Sequence, residues 1–327
     1  MNICVIGAGA WGTALANLLH QNHHQVTLWG HDSQGLADIR KSGRNERYLP
    51  GVDLPRGLQL ESDLAKAARP CECLVVAVPS AALREVTSGL HDFSGIAVTV
   101  TKGIEYESGL TMSGVVAQTM PGARVVALSG PTLALEVARN IPAAIVAADR
   151  DGKSATLVQQ AFLRPAFRVY TSNDLLGVEL GGALKNVIAI GAGTSDGLGF
   201  GDNSKAALIT RGIVEMRRLG VACGAHGETF AGLSGLGDLT VTCFSKLSRN
   251  RSFGERLGRG ETVQAIVAST PSVAEGFPTA RSAYQLARKL KVETPIIDEI
   301  HAMLYQGKPV QQAVRDLMGR DTKPEES

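Results

Sequence analysis

Asn2-Ile3-Cys4-Val5-Ile6-Gly7-Ala8-Gly9-Ala10-Trp11-Gly12-Thr13-Ala14-Leu15 opens the chain. Residues 2–6 are a short apolar run rich in β-branched residues, the pattern of a strand covered on both faces. Thr13-Ala14-Leu15 begins a helical pattern over 13–20. Between the two lies G-x-G-x-x-G, a weak signal alone but a strong one between a strand and a helix. Gly7 would permit the tight turn, Gly9 a close approach of backbone to a pyrophosphate, and Gly12 close helix–strand packing. The first turn of the helix would add free N–H groups and the positive end of its dipole. The segment predicts a dinucleotide-binding α/β fold.

The following sequence repeats the alternation. Strands are predicted over 2–6, 25–29, 74–78, 97–100, 124–128, 143–147 and 167–170, with helical stretches such as 81–89 and 110–119 between them. This is the pattern of a doubly wound, Rossmann-type parallel sheet. After about residue 172 strand-like runs cease. Helical patterns follow over 174–192, 205–219, 227–232, 262–268, 278–290 and 295–305. We expect a dinucleotide-binding domain over 1–172 and an all-helical substrate-binding, catalytic domain over 173–327.

The 327 residues are 44% hydrophobic and 20% charged, with net charge +2, a balance that argues against nucleic-acid binding through bulk charge. Five cysteines without paired C-x-x-C spacing read as reduced, mostly buried thiols, and no metal site is expected. No signal-peptide pattern follows Met1, and the apolar stretch 184–192 is too short to span a bilayer. The expectation is a cytoplasmic protein without membrane insertion.

Beyond the second predicted strand, the place about 20 residues past the glycines where NAD-selective sites carry an acid is close to His31. Arg40, Lys41, Arg44 and Arg47 follow. This predicts acceptance of NADPH; the competing reading puts Asp32 on the ribose and selects NADH. Val76-Ala77-Val78-Pro79-Ser80 and Val100-Thr101-Lys102-Gly103 end strands at the same carboxyl edge of the sheet, where ligands of open α/β sheets bind. Lys185 and Asn186 lie in a helix apolar nearly all round, hence interior. Burial lowers a lysine's pKa, and Lys102 nearby would lower it further, so Lys185 could protonate a carbonyl oxygen. The plainer alternative is a structural ion pair of Lys185 with Glu179 or Asp196. Asp238, after Gly235-Leu236-Gly237, could orient Lys185 or bind a substrate hydroxyl. Arg249 offers a planar fork suited to phosphate, although spacing alone favours a solvated basic loop over 248–251.

These segments, with Ser129-Gly130-Pro131-Thr132, Gly182-Ala183-Leu184-Lys185-Asn186-Val187-Ile188-Ala189-Ile190-Gly191, Ala231-Gly232-Leu233-Ser234-Gly235-Leu236-Gly237-Asp238-Leu239 and Ser248-Arg249-Asn250, resemble the bacterial-type NAD(P)-dependent glycerol-3-phosphate dehydrogenases nearly end to end. The resemblance implies Lys185 as general acid/base, with Lys102 and Asp238 setting its electrostatics. It implies substrate contacts at Lys102, Gly130, Thr132, Lys185, Asn186, Asp238, Ser248, Arg249 and Asn250. Cofactor contacts would fall at Gly7, Gly9, Ala10, Trp11, Gly12, His31, Lys102, Ala134, Arg249, Val273 and Glu275. Ala10 stands where the family often has serine, and Val273-Ala274-Glu275-Gly276 departs from the usual Val-Glu-Gly. The implied reaction is reduction of dihydroxyacetone phosphate to sn-glycerol 3-phosphate with NADPH or NADH, for phospholipid synthesis, in a homodimer. The competing readings are a hydroxy-acid dehydrogenase of similar build and a non-catalytic NAD(P)-binding regulator.

Overall fold

The computed structural model describes residues 1–269, 274–322 and 324–325. Eight strands form one sheet: β1 (Asn2–Ile6), β2 (Gln25–Trp29), β3 (Gln59–Glu61), β4 (Cys73–Val76), β5 (Ile96–Thr99), β6 (Arg124–Ser129), β7 (Ala143–Ala148) and β8 (Phe167–Ser172). Their spatial order is β3-β2-β1-β4-β5-β6-β7-β8, so the chain reverses direction across the sheet after β3, beside β1 and β4. The crevice at such a reversal is where open α/β sheets receive their ligands.

Period-2 alternation divides each central strand between two cores. Ile3 and Val5 of β1 join Cys73 and Val75 of β4 and Val98 of β5 on one face. Cys4, Ile6, Leu74, Val76 and Ala97 join Leu83, Met112 and Val116 on the other. Helices cover both faces, which is why the strand sequences are continuously apolar.

Two features depart from the expectation. β3 was absent from the sequence reading: Gln-Leu-Glu holds one apolar residue, too few to display a pattern, and it is placed only by pairing with β2. The sheet is also not wholly parallel, because β6 and β7 run antiparallel. The only helix joining them, Ala134–Ala138, has five residues. At about 1.5 Å per residue it cannot carry the chain back along the sheet for a parallel start.

From Leu175 onward the described residues form helices joined by loops, with no strand among them. The 23-residue helix Leu175–Gly197 is the axis of this part. It is long and apolar enough to cross a membrane, but 89% of its most apolar window is buried inside the protein, as befits a core helix. Small residues bring a second helix, Arg249–Gly258, against it. A Cβ on Gly193 would stand 1.9 Å from the Arg251 carbonyl oxygen, and one on Gly254 1.9 Å from that of Ile190. Only glycines on both sides let the two backbones approach this closely. The region 248–251, read as a solvated loop, is instead the start of this second helix, with Ser248 as its N-cap. All five cysteines are free, three of them buried.

Candidate active site

The glycine loop sorts its three glycines by different causes. Gly7 has φ +120°, a region closed to most side chains, and its Cβ would also strike the Ala77 carbonyl. A Cβ on Gly12 would lie 1.9 Å from the Gly7 carbonyl oxygen. Gly9 has ordinary extended backbone, and no atom lies within 4 Å of where its Cβ would be. The fold itself places no demand for glycine at position 9. The open volume in front of it faces the start of helix Ala10–Gln21, which has no side-chain cap of its own. Space for an anion and free N–H groups therefore coincide, and the loop fits a pyrophosphate. Buried Asn45 fixes its shape, donating to the Ala8 carbonyl (2.9 Å) and the Thr13 hydroxyl (2.8 Å). Sequence reasoning missed Asn45, since nothing in 45–51 marks it. Trp11 and Ala134 pack with Ala14 and Leu49, so the start of helix Ala134–Ala138 adjoins the loop.

His31 is exposed beyond the end of β2. Asp32, its competitor for the ribose, is already engaged. One carboxylate oxygen accepts from Gly35 N (2.9 Å) as N-cap of helix Ser33–Ser42, and the other pairs with Arg47 (3.2 Å).

At the carboxyl edge, the Thr101 hydroxyl donates to the Val78 carbonyl (2.7 Å), tying the loops after β4 and β5 together. Lys102 extends from this junction. Its Nζ lies 2.5 Å from Asp238 Oδ2 and 3.3 Å from the Gly130 carbonyl. Asp238 heads helix Asp238–Phe244, and its Oδ1 lies 3.0 Å from Lys185 Nζ. Lys185 also donates to Thr242 Oγ1 (2.6 Å), whose hydroxyl in turn donates to the main-chain carbonyl of Asp238 (2.6 Å). Neither alternative partner reaches Lys185: Glu179 is held by Ser113, and Asp196 by Lys205 and Arg251. Thr242 was a further omission of the sequence reading. It lies one helical turn after Asp238, but a threonine among apolar residues gives no sign of what it faces.

Two ammonium groups thus share one carboxylate, leaving net positive charge at the site. The side chains of Lys185 and Asp238 are 8% and 2% exposed; that of Lys102, at 18%, is the most open. Burial is the main cause that lowers the Lys185 pKa to about 8; Asp238 opposes it and Lys102 reinforces it. A lysine so placed can give or take a proton near neutral pH, the requirement for a general acid/base.

A polar chain flanks this triad. The Asn250 amide donates to Asn186 Oδ1 (2.7 Å), and the Gly276 N–H donates to Asn250 Oδ1 (2.9 Å). Ser248, buried, accepts from Arg251 N (3.2 Å). Thr132 donates to the Gly130 carbonyl (3.2 Å). Arg249 keeps solvent access while its guanidinium is crowded by protein atoms, which lowers its pKa, with Glu275 opposing. Among the described residues Arg249 has no hydrogen-bond or ion-pair partner. Glu275 receives two hydrogen bonds from Ser80. Val273 lies outside the described residues.

Family models for the NAD-dependent glycerol-3-phosphate dehydrogenase N-terminus and C-terminus match residues 2–155 and 174–315. The chain belongs to the NAD-dependent glycerol-3-phosphate dehydrogenase family. It is 49% identical over 99% of its length to a relative in Geobacter sp. (strain M21) named glycerol-3-phosphate dehydrogenase [NAD(P)+], 98% of which is covered. A relative of the same name in Syntrophotalea carbinolica is also 49% identical, over 99% of each chain. The crystal structure of glycerol-3-phosphate dehydrogenase from Coxiella burnetii superimposes with a TM-score of 0.94 at 37% identity, covering 98% of this chain and 99% of that one.

Proposed function

We propose that this chain interconverts dihydroxyacetone phosphate and sn-glycerol 3-phosphate with NAD(P)H; its relatives are named glycerol-3-phosphate dehydrogenase [NAD(P)+]. The observation that carries the reading is Lys185, buried beside Asp238, Thr242 and Lys102 in a chain of this family. The residues that would hold the dinucleotide are Gly7, Gly9, Ala10, Trp11 and Gly12 at the phosphates, and His31 near the ribose, with Ala134, Lys102, Arg249, Val273 and Glu275 further along. When bound, the cofactor supplies the hydride for the carbonyl carbon.

The chain's own residues supply the rest. Lys185 donates its proton to the carbonyl oxygen as negative charge develops there. Asp238 and Thr242 hold the Lys185 ammonium in place. Lys102 adds positive charge on the same side, stabilising the developing alkoxide. Arg249 and Asn250, with Ser248, Gly130 and Thr132, bind the substrate, so that energy from the remote phosphate orients the reacting carbon. The Asp32 carboxylate is held by Gly35 N and paired with Arg47, whose charge offsets its repulsion of a 2′-phosphate beside His31, and this favours NADPH. A division at 172/173, a homodimeric state, a cytoplasmic location and supply of the product to phospholipid synthesis complete the reading.

The test is oxidation of NADPH and NADH with dihydroxyacetone phosphate and with unphosphorylated dihydroxyacetone. Fast turnover confined to the phosphate ester supports the reaction and the phosphate site. No turnover, in protein shown to bind NADPH, overturns it.

A further inference from the structure

Among the helices between the strands that begin without a side-chain cap of their own are Ser80–Ser88, preceded by Pro79, and Met112–Thr119, preceded by Thr111. Orphan N–H groups at a helix start need acceptors. In both cases a glutamate from the helical region supplies them, gripping one serine through N–H and hydroxyl together. Glu179 accepts from Ser113 N (2.7 Å) and Ser113 Oγ (2.5 Å). Glu275 accepts from Ser80 N (3.1 Å) and Ser80 Oγ (2.5 Å), across 195 positions of sequence.

The two clasps are not equivalent. Glu179 sits on the long axial helix, and its clasp is buried throughout. Glu275 is the N-cap residue of the 15-residue helix Gly276–Leu290. The next residue, Gly276, is pressed so closely to the axial helix that a Cβ would stand 2.4 Å from the Asn186 carbonyl oxygen. Its N–H holds Asn250, and Asn250 holds Asn186, the neighbour of Lys185. The Ser80 side chain also abuts Gly103, whose Cβ would lie 2.8 Å from Ser80 Cβ, directly after Lys102. Hydrogen bonds joined by the Glu275–Gly276 peptide bond therefore link the carboxyl edge of β4 to the side chain assigned to the substrate phosphate.

We propose that Ser80 is a positioning residue for the reaction. By holding Glu275, it sets the register of Gly276 and Asn250 against the nicotinamide side of the site, and so places the bound phosphate relative to Lys185. Ser80 touches no reacting atom in this role. The inference rests on the proposed assignment of Asn250 and Arg249 to the phosphate.

The experiment compares kcat/KM for dihydroxyacetone phosphate and for dihydroxyacetone in wild type, Ser80→Ala, Ser80→Thr and Arg249→Ala, with thermal melts alongside. Ser80→Ala keeps the Cβ that packs on Gly103 and removes only the hydroxyl. The expected result is a loss of about tenfold for the phosphate ester, the scale of one hydrogen bond to a charged group, with dihydroxyacetone little changed. Ser80→Thr restores a hydroxyl and recovers most of the preference. If Arg249→Ala narrows the preference while Ser80→Ala scales both substrates alike, the phosphate site stands and the role of Ser80 is overturned. If wild type shows no preference for the ester, the functional reading itself falls, and this role with it.

Discussion

Replacing Gly9 and Gly12 in turn by alanine separates a glycine kept for a ligand from one kept for the fold. At Gly9, φ is −75° and nothing lies within 4 Å of the added Cβ, so the folded chain accepts a methyl group without strain. Reduced freedom of the unfolded chain should then stabilise Gly9→Ala by about 0.4–1 kcal/mol. The same methyl occupies the space from which a phosphate would reach the N–H groups of helix Ala10–Gln21. Losing one charge-assisted hydrogen bond there costs about 1.5–3 kcal/mol, or roughly 10- to 150-fold in cofactor affinity. At Gly12 the added Cβ would stand 1.9 Å from the Gly7 carbonyl oxygen, a backbone clash that no rotamer relieves. Gly12→Ala should therefore lose about 1–3 kcal/mol of stability or more. Titration of NADPH fluorescence and thermal denaturation, run on both variants, read the two effects separately. Unchanged NADPH affinity in Gly9→Ala would refute the reasoning, because the open volume would then not be where the phosphates lie.

With a Lys185 pKa of about 8, the reduction direction needs the protonated lysine and should slow as pH rises through about 8; oxidation needs the neutral form and should rise over the same interval. Profiles of kcat against pH in both directions check the sign. Thr242→Val removes the hydroxyl 2.6 Å from Lys185 Nζ, and is expected to lower kcat about tenfold and move the break in the profile to lower pH. His31→Asp puts a carboxylate near the ribose, and the NADPH/NADH ratio of kcat/KM should fall about tenfold or more; an unchanged ratio places the 2′-phosphate elsewhere. Gly254→Ala drives a Cβ to 1.9 Å from the Ile190 carbonyl oxygen and should cost about 1–3 kcal/mol or more in urea unfolding, with activity lost through the displaced Arg249 and Asn250.

Most strands read from sequence are buried on both faces, because continuous apolar runs announce themselves; β8 instead alternates buried and exposed residues, the other pattern that marks a strand. β3, with one apolar residue, shows neither pattern, and β7, read as a strand over 143–147, carries no sign of its antiparallel direction. Strand direction depends on how far the connecting segment travels, and the 13 residues between β6 and β7 are not marked as a short helix that turns back. At the site, Lys102 was legible because it follows a strand at the ligand edge, and Lys185 because it interrupts an apolar helix. The region 248–251 was misread as a solvated loop. Its charge suggested solvent, whereas burial of Ser248 and Asn250 comes from Gly254 and Gly258 docking that helix on the axial one. Asn45, Ser80 and Thr242 carried no local signal, since each matters for what it faces across the fold.

By itself the sequence determined what local chemistry can encode: a glycine loop between strand and helix, the alternation that builds a doubly wound sheet, and a lysine in a segment too apolar to lie outside. Periodicity and backbone constraint act over a few residues, so they survive without a partner. The tertiary structure alone decided that one carboxylate, Asp238, faces Lys102 and Lys185 together, and that Asp32 is spent on Gly35 and Arg47. It also decided that Glu275 closes on Ser80 across 195 positions of sequence. Charges and hydrogen-bond donors act through a few ångströms of space irrespective of chain separation, and only the folded chain sets those distances.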